Sequence, residues 1–205
     1  FGFREYDARW IYEKDIKLLL AHSSVAQIGY IALGFGLASS ASVAASFVHI
    51  GNHALIKGGL FMAVGSFVAA LSSRASLASF VGIGRRMPIT ATAFTVCGLS
   101  LAGLPLTAGF ISKLYLVRAI LAEDAYVIVA LVLLSSALSL IYLWKIIEVM
   151  WMQPAPAKSP NLVENPAIYF PLWIVALANI WFGVDASWLV AASRAAAAAL
   201  LGGGL

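Results

Sequence analysis

The chain has 205 residues, 62% of them hydrophobic and only 11% charged, with 13 Lys and Arg against 9 Asp and Glu, 3 His and 1 Cys. A soluble domain carries roughly 25% charged residues, so this composition, with a mean hydropathy of +0.94, excludes one and defines an integral membrane protein. A single Cys, Cys97 in an apolar segment, excludes a disulfide framework within the chain and reads as a small buried hydrophobe, and the scattered Lys and Arg show no basic patch interleaved with aromatics, so no nucleic-acid partner is expected.

Residues 1–15, FGFREYDARWIYEKD, are polar or amphipathic, lack the apolar core of a signal peptide, and have no assigned role. From residue 16 to 37 the chain is apolar and long enough to cross a hydrocarbon core of about 30 Å. This first span holds His22, Ser23, Ser24 and Gln27, with Gly29, Gly34 and Gly36 as small residues for close helix approach. Residues 38–42 make a short turn, and a second span covers 43–71.

The second span carries the chain's most informative pattern. At 100° per residue His49, His53 and Lys57 advance by about 40° each, so they line one helix face over about 12 Å of rise. Charge at membrane depth is costly, and such residues face a protein interior or water and mark ion or proton paths. Imidazole and a desolvated amine can both exchange protons. Two other readings of the same residues exist. Polar side chains glue membrane helices together, although lysine is poor glue, and a His-x-x-x-His pair can hold a metal, although no Cys, Asp or Glu lies nearby in sequence to complete the ligand set. No metal site and no cofactor is assigned. Gly58 and Gly59 follow Lys57 directly, which predicts a bend or a close helix contact there.

A polar loop, 72–88, holds Arg74, Arg85 and Arg86 and ends at Pro88, a natural start for the third span. That span is predicted to be broken. Residues 90–102 are apolar, Gly103-Leu104-Pro105 interrupts them, Thr107-Ala108-Gly109 follows, and the pattern resumes over 110–121. Proline removes a backbone donor and clashes with the preceding turn, so two half-helices with an unwound joint are expected, an ordinary proline kink being the plainer reading. Broken helices in transporters line cavities. Lys113 lies just beyond the joint formed by Gly103, Pro105 and Gly109.

Glu123 and Asp124 mark a short connection before a fourth span, 125–150. A proline-containing loop, 153–165, precedes a fifth span, 166–182, with Trp173 and Trp181 spaced like interfacial aromatics. Residues 187–201 form an alanine-rich helix with one charge, Arg194, expected on or packed into the membrane edge, and the glycines after it should fray. The architecture is therefore all-α, with about five transmembrane helices. With five spans, Lys14, Lys17, Arg74, Arg85, Arg86, Lys145 and Lys158 fall on one side and Arg118, Glu123, Asp124 and Arg194 on the other. The first side is cytoplasmic by the positive-inside rule.

Three stretches now carry a family signature: Asp15-Ile-Lys-Leu-Leu-Leu-Ala-His-Ser-Ser-Val-Ala-Gln-Ile-Gly-Tyr30, His49-x-x-x-His53-Ala-Leu-Ile-Lys57, and Leu99-Ser-Leu-Ala-Gly-Leu-Pro-Leu-Thr-Ala-Gly-Phe-Ile-Ser-Lys113. Over about residues 15–185 they resemble the antiporter-like subunits shared by Mrp-type multisubunit sodium/proton antiporters and proton-pumping complex I. The stretches at 82–88 and 178–185 look most like the D-type subunit of Mrp antiporters. The resemblance implies the second half of a fourteen-helix fold with two inverted repeats, each with a broken helix, and protons moving along a central line of titratable residues. It places His49, His53 and Lys57 on that line and Lys113 at the broken helix. The organisation is then 1–15 unassigned, 16–183 a partial antiporter-like transmembrane domain, and 184–205 the alanine-rich helix and tail. The family's earlier half has no counterpart here and the chain starts with Phe1, so a C-terminal fragment, split subunit or truncated product is expected.

The function implied is an ion-translocating subunit exchanging protons for sodium or a similar monovalent cation, as part of a multi-pass complex of the cell's inner membrane. The alternative is an antiporter-like proton-pumping subunit of complex I or a related membrane-bound hydrogenase. Its partners in either case are other membrane subunits, the bilayer, protons and, for the antiporter, the cation. A single Cys cannot hold an iron–sulfur cluster, and no nucleotide-binding glycine motif follows a strand, so any redox chemistry would belong to partner subunits.

Overall fold

The computed structural model describes residues 15–155 and 162–202. The expected N-terminal segment at 1–14, the basic residues Lys14 and Lys158, and the fraying end at 203–205 lie outside them. All regular elements among the described residues are helical: α1 (Ile16–Gly36), α2 (Ser40–Leu71), the short α3 (Ile83–Arg86), α4 (Pro88–Ala102), α5 (Ala108–Leu121), α6 (Tyr126–Trp151), α7 (Pro166–Val184) and α8 (Ser187–Leu200). Four of them, α1, α2, α6 and α7, are each long and apolar enough to cross a membrane. The predicted third span is the pair α4 and α5. The chain is a multi-pass membrane protein.

Local signals explain the boundaries. Asp15 caps α1 through the amides of Lys17 and Leu18. Ser39 and Ser42 form a reciprocal capping box, so α2 starts at Ser40 and the expected turn at 38–42 shrinks to three residues. Pro88 occupies the first turn of α4, where its missing N–H has no helical partner to lose. The 72–88 stretch, expected to be a polar loop, is anchored instead. Phe80, Ile83 and Met87 are fully buried in the main core, and Gly82 N–H donates to Val149 O at 3.0 Å.

The glycine pair after Lys57 does not interrupt α2, which is helical over 32 residues. Gly59 serves close packing: a methyl there would meet Cys97 Sγ at 2.5 Å and Val175 at 3.3 Å, whereas Gly58 faces open space. The α4–α5 joint is real, yet glycine makes it more than proline does. Gly103, at φ +88°, sends its N–H to Leu99 O and Ser100 O, while Leu104 N–H returns to Leu99 O, the hydrogen-bond pattern of a glycine helix stop. Pro105 then keeps the helix from resuming. The new helix starts after Thr107, whose hydroxyl donates to Leu104 O at 2.6 Å.

Helix α2 is the axis of the bundle, packing against α1, α4, α5, α7 and α8. α8 lies along its first half, with Val190 and Ala197 buried there and Leu189 against Gly51. Gly183 of α7 packs on the backbone of Leu106 and Thr107, pressing α7 onto the joint.

Candidate functional site

Interior polar residues gather where α1, α2 and α5 meet. Lys57 is 6% exposed and donates from Nζ to Leu20 O at 2.6 Å and to Ser23 Oγ. Both acceptors belong to α1, so the ammonium is held there by neutral oxygens. One turn back, the ring of His53 stacks near that of His49, with centroids 6.2 Å apart and planes 13° from parallel. His49 in turn meets the edge of Tyr30 on α1, centroids 5.7 Å apart.

His49 also reaches the second half-helix. Its Nδ1 lies 2.9 Å from Ser112 Oγ, and Ser112 donates its hydroxyl hydrogen to Gly109 O at 3.1 Å. A hydroxyl has one hydrogen to give, so the network assigns the proton between ring and serine to His49 Nδ1. Nε2 is then the bare ring nitrogen, and it is buried without a partner. Asn52, next to His53 in sequence, donates to Ala108 O at 2.7 Å. The start of α5 is thereby fastened to α2 at two places.

Lys113 occupies the joint itself. It is 8% exposed, and its Nζ donates to Leu101 O at 3.0 Å and Ala102 O at 3.1 Å, two carbonyls that the break leaves without helical partners. A cation at a helix C-terminus is also favoured by the peptide dipoles. The same ammonium sits 5.9 Å from the centre of the Tyr30 ring. Gly103 and Gly109 make room for this arrangement. A side chain at Gly103 would touch Lys113 Cδ at 3.0 Å, and one at Gly109 would run into the backbone of Ser100. Gly109 N–H donates to Ser100 Oγ at 3.1 Å, and Ser100 donates to Asn179 Oδ1 of α7 at 3.0 Å.

Lys113 is close enough for its charge to act on His49, and Lys57 for its charge to act on His53. The four titratable residues picked from the sequence thus form one electrostatically connected set. Periodicity and motifs assign no role to Tyr30, Ser23, Ser112, Asn52, Ser100 or Asn179. A signal exists all the same: each is a polar residue inside an apolar span, and Asn52 and Ser112 directly precede His53 and Lys113.

A helical bundle with a histidine and lysine line in its interior, and a helix broken beside a second lysine, is the architecture of an antiporter-like membrane subunit. Residues 10–139 match the family described as NADH:quinone oxidoreductase/Mrp antiporter, transmembrane. The chain belongs to that family. It is 40% identical over 156 residues to the N-type subunit of NADH-quinone oxidoreductase from Desulforudis audaxviator, covering 76% of this chain and 31% of that protein. It is 30% identical over 176 residues to the D-type subunit of the Na(+)/H(+) antiporter from Bacillus subtilis, covering 85% of this chain and 36% of that protein. Among solved structures, a chain of an archaeal respiratory membrane complex, the membrane-bound sulfane sulfur reductase, superposes with a TM-score of 0.86 at 32% identity, over 94% of this chain and 39% of that one. The chain therefore spans about a third of the length of these relatives.

Proposed function

We propose that this chain conducts protons within the membrane, along a path from Lys57 through His53 and His49 to Ser112 and Lys113, as part of a larger assembly of membrane subunits. The observation that carries the reading is the His49–Ser112–Gly109 hydrogen-bond chain, which links the titratable line on α2 to the broken helix that holds Lys113. Lysines held by carbonyl and hydroxyl oxygens suit proton exchange. A carboxylate partner would pin the charge, whereas neutral acceptors hold the amine in place in both of its protonation states. The higher identity, to an N-type subunit, favours a redox-driven complex in which the chemistry that powers pumping resides in other subunits.

A second reading, exchange of protons for sodium or a similar monovalent cation, is favoured by the similarity to a D-type antiporter subunit over most of this chain. The test is proton flux by the complete complex in vesicles, wild type against Lys57→Met. The first reading expects flux that follows electron transfer and ignores a sodium gradient, the second the reverse. Undiminished flux in the Met variant under both conditions would remove the path.

A further inference from the structure

The face that α1 turns toward α2 is itself a polar ladder. Ser23 accepts from Lys57, and Tyr30 meets His49 edge to face. The two helices are joined by a short turn and run antiparallel, so one turn forward from Ser23 on α1 matches one turn back from Lys57 on α2. That register sets Gln27 opposite His53. Continuing along both helices brings Tyr30 to His49, as observed. Gln27 is 1% exposed, and its Nε2 is buried without a hydrogen-bond partner, as is Nδ1 of His53. A buried carboxamide that makes no structural bond is costly to keep, and here an unmet donor and an unmet ring nitrogen occupy matching rungs.

We propose that Gln27 is a positioning residue for His53, its carboxamide turning to suit the ring's protonation state. With Nδ1 bare, the amide presents N–H. With Nδ1 protonated, rotation about the last side-chain torsion presents Oε1 in the same place. No other uncharged side chain of that length offers both roles, so the ring can be loaded and emptied without leaving a buried polar atom unmet in either state. The inference rests on the proton-path reading above. The titratable groups next to His53 are His49 and Lys57 on its own helix, Tyr30 from α1 and Lys113 from α5 lie against His49, and Tyr142 of α6 lies beside Ser23 and Tyr30. Of the other helices packed on α2, α4 brings Cys97, at Gly59, and α7 brings Tyr169, in its first turn. α8 brings Arg194, which lies with Arg118 and Tyr115 of α5 in a groove beside Ser40 and Val48.

The experiment uses the complete membrane assembly with isotope-labelled histidine, reading the His53 ring nitrogens by NMR and the pH profile of proton flux in vesicles. Gln27→Glu supplies only an acceptor, so Nδ1 of His53 is expected to be protonated at neutral pH and the flux profile to move to higher pH by about one unit or more. Gln27→Met keeps the volume and removes both roles, and is expected to leave His53 in mixed tautomers with flux about tenfold lower. If Gln27→Glu does not assemble, the ring signals of the Met variant decide. Ring signals and pH profile unchanged from wild type in the assembled variants would overturn the proposal. Altered ring signals with unaltered flux would support the positioning role and overturn the proton-path reading instead.

Discussion

His49 and Ser112 lie 2.9 Å apart across the packed faces of α2 and α5, and this hydrogen bond joins the histidine track to the half-helix after the break. Ser112 passes its own hydrogen to Gly109 O, so the bond also decides which nitrogen of His49 is bare. Ser112→Ala removes the link and leaves a buried imidazole N–H unmet, at a cost of about 1–3 kcal/mol. Proton flux is expected to fall at least tenfold while the complex still assembles, with thermal stability lowered by a few degrees. Flux equal to wild type in the assembled variant would show that His49 does not need Ser112.

Lys57 is held by Leu20 O and Ser23 Oγ, acceptors that serve an amine as well as an ammonium. Lys57→Met is expected to abolish proton-coupled transport. Lys57→Arg is expected to fail as well, because a guanidinium keeps its proton. The measurement is transport by the reconstituted complex after assembly is verified. Normal transport by the arginine variant would mean that only a fixed positive charge is required.

Lys113 and Lys57 are expected to act in series. Lys57→Ala and Lys113→Ala should each lose most of the flux, and the double variant should be little worse than either one, because a path already cut carries nothing more to lose. Flux after a pH jump, in vesicles containing the complete complex, checks this. Partial losses that multiply cleanly in the double variant would indicate separate routes, leaving Lys113 as the cap of α4 through Leu101 O and Ala102 O.

Gly59 and Cys97 are in steric contact, with Cys97 Sγ occupying the space beside the glycine. Gly59→Ala is expected to destabilise the bundle by about 1–3 kcal/mol through overpacking. Gly59→Ala combined with Cys97→Ala is expected to recover most of that loss, since removing the sulfur empties the contested space. Thermal unfolding of the four members of this cycle measures it, and strictly additive losses would refute the contact.

Charge distribution predicts orientation. The bond from Ile16 N to Ala75 O, that from Gly82 N to Val149 O, and the capture of Ile89 and Thr90 amides by Glu164 gather the start of α1, the 72–87 stretch, the end of α6 and the start of α7 at one end. Lys17, Arg74, Arg85, Arg86 and Lys145 belong to that end, which is expected to face the cytoplasm. Cysteine at Ser73 should be labelled from the cytoplasmic side and cysteine at Glu123 from the opposite side. The native Cys97 is fully buried and will not compete. Equal or reversed labelling would refute the orientation.

The sequence alone determined the membrane class, the spans and the place of the break, and it singled out four titratable residues as candidates, because each follows from local chemistry. Apolar run length sets a span, and three ionisable residues at four-residue spacing share a helix face whatever surrounds them. It also carried the family, through motifs in which lysine, histidine, glycine and proline hold fixed spacings. What it could not determine is which neutral groups meet those charges, since that depends on how α1, α5 and α7 turn against α2. Only the tertiary structure decided that Lys57 is held by Leu20 and Ser23, that Lys113 caps its own broken helix, and that Gly59 admits Cys97. Helix packing fixes those choices through contacts between residues far apart in the chain, such as His49 with Ser112 and Ser100 with Asn179, and hydrophobic periodicity says which face is buried without saying which partner it meets.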